Sequence, residues 1–224
     1  MAVGYILGRL LYRYPDTAFD ILPRSEFEEV IHLIVEDLAS KQNLFVSGAC
    51  IALGEIGRYG VIPVSDPAKE IEKLITTAKD TKDIKTQEYA IAALGHIGVG
   101  NPAQAPEILK FFYDFGPKQT KQTEVNFTIG EAIACIGAGW QCTAMDVFAD
   151  VADQEPAQKA VNDEVMDSIL ATILNDLAPS PKAATKKAAC IWLLSLVKFC
   201  STHPSVKVRG DGLGLYHLYM YGHW

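Results

Sequence analysis

The sequence predicts an all-α fold, a solenoid of paired helices wound into a right-handed superhelix of about four to five pairs. Three observations predict it. One helical pattern recurs at residues 47–57 (SGACIALGEIG), 88–98 (EYAIAALGHIG), 128–137 (TIGEAIACIG) and 187–197 (KAACIWLLSLV). The copies align on one apolar position, Leu53, Leu94, Ile133 and Leu193, at separations of 41, 39 and 60 residues. Amphipathic stretches, with apolar residues every three or four positions, lie between the copies and are closed by Gly and Pro.

Packing explains the pattern. Ala49, Ala52, Ala90, Ala93 and Ala132 are small and bring each helix close to its neighbours. Leu53, Ile56, Leu94 and Ile97 recur at i, i+3 and fill the space between units. Gly54 and Gly57 stand inside a helix, where each costs about 1 kcal/mol against Ala. Their presence therefore points to close backbone approach. A period near 40 residues is that of HEAT and armadillo arrays, whose units of roughly 40–47 residues each form one helical pair.

Taken in order, residues 3–14 read as a second helix without its first: 6–10 (ILGRL) match 52–56 (ALGEI), and Pro15-Asp16 ends it. Ser25 and Glu28 have the spacing of a capping box. They open a helix over 26–39 with Val30, Leu33, Ile34 and Leu38 inward. A turn at 40–43 leads into the next second helix, near 44–59. Pro63 and Pro67 break the link, and Asp66 caps a helix to Ala78 with Ile71, Leu74 and Ile75 inward. The turn at 80–83 opens the second helix near 84–99. A helix over 103–115 follows, burying Ile108, Leu109, Phe112 and Phe115, and Gly116-Pro117 stops it. The third copy lies in a helix near 122–139. Residues 141–156 read as a short acidic extra helix plus loop, 157–178 as a helix, and the last copy lies near 182–200. The predicted solenoid spans 1–201, leaving 202–224 as an irregular, truncated repeat end with an apolar tail. An array needs polar caps at both ends. A start on half a repeat and an apolar tail lead us to expect a fragment or shortened form of a longer solenoid.

The formal net charge of −7 over 224 residues argues against nucleic acid as a partner, since phosphate contacts need clustered Lys and Arg. There is no apolar run long enough to span a membrane. The five cysteines, three of them on the repeated helix (Cys50, Cys135, Cys190), read as reduced core residues. His32, His96, His203, His217 and His223 are dispersed, so no metal site is predicted. Gly95-x-x-Gly98-x-Gly100 reads as helix packing rather than a phosphate loop. No catalytic residue and no cofactor is assigned. One column carries a candidate docking role: two residues beyond each marker stand Glu55, His96, Cys135 and Ser195, which on stacked helices would line one surface. Arg58 is placed to pair with Glu55 at i, i+3. Lys182, Lys186, Lys187 and Lys198 give a small basic patch, which reads as a solvated face or as a contact for an acidic partner. The candidate protein-binding residues are Glu55, Arg58, His96, Ser195 and Lys198.

With the copies aligned, residues 48–58 and, more specifically, Cys190-Ile191-Trp192-Leu193-Leu194-Ser195-Leu196 resemble the large HEAT-repeat proteasome adaptor and scaffold family. The resemblance implies a non-enzymatic adaptor that binds the 26S proteasome and bridges its core and regulatory particles. It implies a cytoplasmic location, extended through partners to the nucleus and to ER or endosomal membranes. The alternatives are enzymes on a HEAT scaffold or another transport or phosphatase scaffold. A deoxyhypusine hydroxylase-like enzyme would need His-Glu steps as metal ligands, and no His here precedes Glu. Bilin lyase-like repeats are near 30 residues, shorter than the period found here.

Overall fold

A computed structural model describes residues 2–14, 17–60, 67–144 and 156–207. Over these residues the chain is all-helical and no strand occurs. The helices are α1 (Ala2–Arg13), α2 (Ala18–Ile21), α3 (Arg24–Asp37), α4 (Asn43–Gly57), α5 (Pro67–Asp80), α6 (Ile84–Gly100), α7 (Ala105–Phe115), α8 (Thr123–Ala138), α9 (Pro156–Thr172) and α10 (Ala183–Phe199). Contacts divide the chain into two compact units, Met1–Ile108 and Leu109–Trp224.

In the first unit α4 packs against α1 and α6, α3 against α4, and α5 against α6. Small residues set the approach. A Cβ added at Gly4 would stand 2.7 Å from the Ala52 carbonyl oxygen, and one at Gly54 2.9 Å from the Ala93 Cα. The helices could not lie this close with larger residues there. Where α4 ends, Gly60 takes a φ of +73° and rests against the Gly100 carbonyl. The Asn101 side-chain amide donates to the Gly57 carbonyl at 3.1 Å and to that of Ile97 at 3.2 Å, tying the two helix ends together. Asp83 caps α6 by accepting the Thr86 N–H at 2.8 Å. Gln87 donates from its side-chain amide to the Ala78 carbonyl at 2.8 Å, which fixes α5 to α6.

Two details depart from the sequence reading. Helix α3 begins at Arg24 on Pro23, so Ser25 falls inside the first turn and no capping box forms. Its buried stripe is Phe27, Ile31 and Val35, while Leu33 is exposed. Phe27 and Ile31 are large enough to fill the space under α3, and the helix has rotated to bury them. Helix α5 buries Ile71, Leu74 and Ala78 as its apolar spacing requires, with Ile75 half-buried. Pro63 and Asp66 lie outside the described residues.

In the second unit α8 packs against α9 and α10. Gly130 lies against Ser195 and Trp192, so the same close approach recurs between α8 and α10. Trp192 is fully buried, its ring centroid 5.8 Å from that of Tyr113. Buried Asn126 donates to the Gly116 carbonyl at 3.1 Å, which fastens the turn after α7 to α8. Phe111 and Phe115 stack with centroids 5.0 Å apart. Helix α8 closes at Gly139, whose φ is +56°. Helix α9 widens into a π turn over Ile173–Leu177 before the chain enters α10. The acidic insertion falls largely on 145–155, and the apolar tail on 208–224, both outside the described residues.

Candidate functional site: the column beside the marker residues

The residue two beyond each marker sits on the flank of the recurring helix that turns toward a neighbouring helix. In the first unit His96 of α6 lies against Gly54 of α4: a Cβ there would stand 3.5 Å from His96 Nδ1. Arg58 reaches back to Glu55 with Nη2 3.1 Å from Oε2. The Arg58 side chain is 3% exposed and that of Glu55 14%, so this is an internal ion pair rather than a surface one. The guanidinium also lies over the Tyr59 ring, 5.2 Å from its centroid. His96 is half-buried, and its pKa falls to about 4. Burial is the larger cause and the neighbouring Arg58 charge the smaller. At neutral pH His96 is therefore uncharged beside a charged Glu55–Arg58 pair.

In the second unit the column is fully interior. Ser195 is buried against Gly130 and donates to the Ile191 carbonyl at 3.2 Å. Cys135 is buried as well and hydrogen-bonds Cys142, which in turn bonds Cys200. The hydrogen bond with Cys142, then burial, raises the Cys135 and Cys200 thiols well above the usual range. The expected line of exposed polar residues is thus corrected. Arg58 and Ser195 are buried and Glu55 and His96 half-buried, because the close approach at Gly54 and Gly130 covers the flank beside each marker. Of the five candidate residues only Lys198 is exposed, its Nζ 4.4 Å from the centroid of the Phe199 ring. Cys190 is also corrected: it is exposed on α10, while Cys50, Cys135, Cys142 and Cys200 are buried.

Two features escaped the sequence reading. Leu44, Phe45 and Ile84 are exposed on the first turns of α4 and α6, which the Ser47–Thr86 hydroxyl contact of 2.8 Å sets side by side. Their signal was present, since they precede the matched pattern and belong to no inward stripe. His203, buried after α10, bonds Asp163 of α9 through Nε2 at 3.0 Å. A contact between residues forty apart, with no motif to mark it, left no trace in the sequence. Among the described residues no group of three or more His, Cys, Asp or Glu is placed to hold a metal ion. No helix among them is long and apolar enough to cross a membrane.

Over the described residues these features define an all-helical chain built on a recurring helix, with the polar groups beside its markers largely covered by packing. No family model matches the chain, and no solved structure does. It is 34% identical over 230 residues to the proteasome adapter and scaffold protein ECM29 of Homo sapiens. It is 23% identical over 241 residues to the proteasome-associated protein ECM29 homolog of Drosophila melanogaster. The alignments take in 92% and 94% of the chain and 12% of each relative. The likeness to the proteasome adaptor and scaffold family is thereby shown along nearly the whole chain.

Proposed function

We propose that the chain is a non-enzymatic interaction segment of a proteasome adaptor. The observation that carries this reading is the alignment of 92% of the chain with a relative named as a proteasome adapter and scaffold protein. The packing supports it. Close approach at a small residue recurs between α1 and α4, α4 and α6, and α8 and α10. That recurrence supports stacked helices, and the architecture we propose for them is a HEAT solenoid over 1–201, wound as a right-handed superhelix. Such an array offers a long lateral surface for partners. The Glu55–Arg58 pair and His96 lie within the packing of the first unit, and Lys198 is the exposed residue proposed for a docking face. The proposed partner is the 26S proteasome, contacted at its core and regulatory particles. The proposed setting is the cytoplasm and nucleus, with ER and endosomal membranes reached through partners.

The test is affinity capture. The tagged chain, shown to be helical by circular dichroism, is passed through a cell lysate and the retained proteins are identified. Subunits of the core and regulatory particles should be enriched over a tag-only control. Retention of no proteasome subunit, or of a metal or pigment on the chain instead, would move the reading to a HEAT-scaffold enzyme.

A further inference from the structure

The chain is acidic as a whole, yet between Asp176 and Asp211 it holds no acidic residue and six basic ones. Three of these, Lys182, Lys186 and Lys187, are exposed on the first turns of α10. That placement works against the helix, whose amino end carries partial positive charge and favours acids. Helix α10 has no acid in its first turn, and its N-cap is Lys182, which makes no side-chain capping bond. Helix α6 shows the ordinary solution, with Asp83 at its start. Among the described residues none of the three lysines forms an ion pair. Lys187 instead donates from Nζ to Thr123 Oγ1 at 3.0 Å.

That bond joins the lysines to the start of α8. There Lys121 and the acid Glu124 are both exposed, and one turn beyond Thr123 so is Phe127, at 48%. On α10 the row Lys186, Cys190, Leu194 and Lys198, spaced four residues apart on one face, is exposed along its length. A basic end thus runs into apolar residues and is closed by another lysine. The lysines break a local rule of helix design with no ion pair to offset it, Lys187 having only its bond to Thr123, which is what a binding role would leave behind.

The geometry points to a docking face for an acidic peptide segment that carries an apolar side chain. Its carboxylates would meet Lys182, Lys186 and Lys187, and its apolar group would meet Phe127 and Leu194. Nucleic acid would answer the charge but not the apolar row, and the face lacks the arginines that suit phosphate best. The inference deepens the adaptor reading and rests on it, by naming the chemistry of one partner surface.

The experiment titrates the full chain into a fluorescein-labelled acidic peptide with one central Phe and follows anisotropy. The same peptide with Ala for Phe, and a single-stranded oligonucleotide of equal length, are run beside it. Binding should weaken with added salt, because exposed charges are screened. Lys186→Glu/Lys187→Glu should weaken it by about tenfold or more, and Phe127→Ala should weaken it and abolish the preference for Phe over Ala. Lys73→Glu, on exposed α5, should leave it unchanged. The double reversal should also raise Tm, since acids suit that end of α10. Absence of peptide binding, indifference to the double reversal, a lowered Tm, or equal affinity for the oligonucleotide would overturn the inference. Proteasome capture by the same tagged chain is read separately, so capture without peptide binding removes this inference and leaves the adaptor reading standing.

Discussion

Gly48 and Gly54 lie in one helix, α4, and Gly→Ala is predicted to act on them with opposite sign. A Cβ at Gly48 meets nothing within 4 Å, and the position is exposed. There the substitution gains only the helix propensity of Ala, about 1 kcal/mol. A Cβ at Gly54 would stand 2.9 Å from the Ala93 Cα and 3.2 Å from its Cβ. Carbon atoms prefer roughly 3.5–4.0 Å, and a backbone atom cannot rotate away. Helices α4 and α6 must therefore part by roughly 0.5–1 Å, an overpacking cost of about 1–3 kcal/mol. That exceeds the propensity gain, so Gly54→Ala should lose about 1 kcal/mol net. Urea unfolding followed by circular dichroism reads both variants. With a slope of about 2 kcal/mol/M, their midpoints should differ by about 1 M, on either side of the parent. Equal stabilisation by both substitutions would refute the claim that Gly54 is there for close approach.

Four further outcomes follow from the same contacts. Arg58→Met deletes the buried cation of the Glu55–Arg58 pair and should cost about 3 kcal/mol in urea unfolding, whereas Glu55→Leu/Arg58→Met, which removes both charges, should cost less. His96 has a folded pKa of about 4, below the ordinary 6.5. The unfolded chain thus binds the proton more readily between those values, and the stability His96 contributes is full above pH 6.5 and lost as pH falls towards 4. His96→Phe should flatten that part of a stability–pH curve, and an unchanged slope would contradict the assignment. Asn126→Leu removes the buried side-chain bond to the Gly116 carbonyl, which keeps the Gln119 N–H, and should lower stability by about 0.5–1.5 kcal/mol. Ellman's reagent should react quickly with one thiol of five, Cys190, and with all five only in denaturant; two or more fast thiols would count against the buried placement of the others.

The recurring helix was legible because several signals agree there. In α4 and α6 the alanines, the marker leucines and the interior glycines each require a close neighbour, and the boundaries fall within a few residues of those expected. Helix α3 was less legible because it carries more apolar residues than one face can bury. Periodicity alone did not choose between the Leu33 and Ile31 stripes, and what lay opposite decided. The column beside the markers was found, but its exposure was misjudged. Sequence equivalence fixes which flank of the helix a residue occupies. Whether that flank meets solvent depends on how closely the next helix approaches, which Gly54 and Gly130 decide. Cys190 shows the converse: it matches buried Cys50 in register, yet its flank of α10 is open. The basic patch was visible in sequence, but its continuity with Phe127 was not, because the Lys187–Thr123 bond spans 64 residues.

Binding of purified 26S proteasome to the immobilised chain tests the central claim most directly. The account predicts saturable binding by interferometry, competed away by the same chain in solution. A chain that is helical by circular dichroism and shows no binding at micromolar proteasome would contradict it.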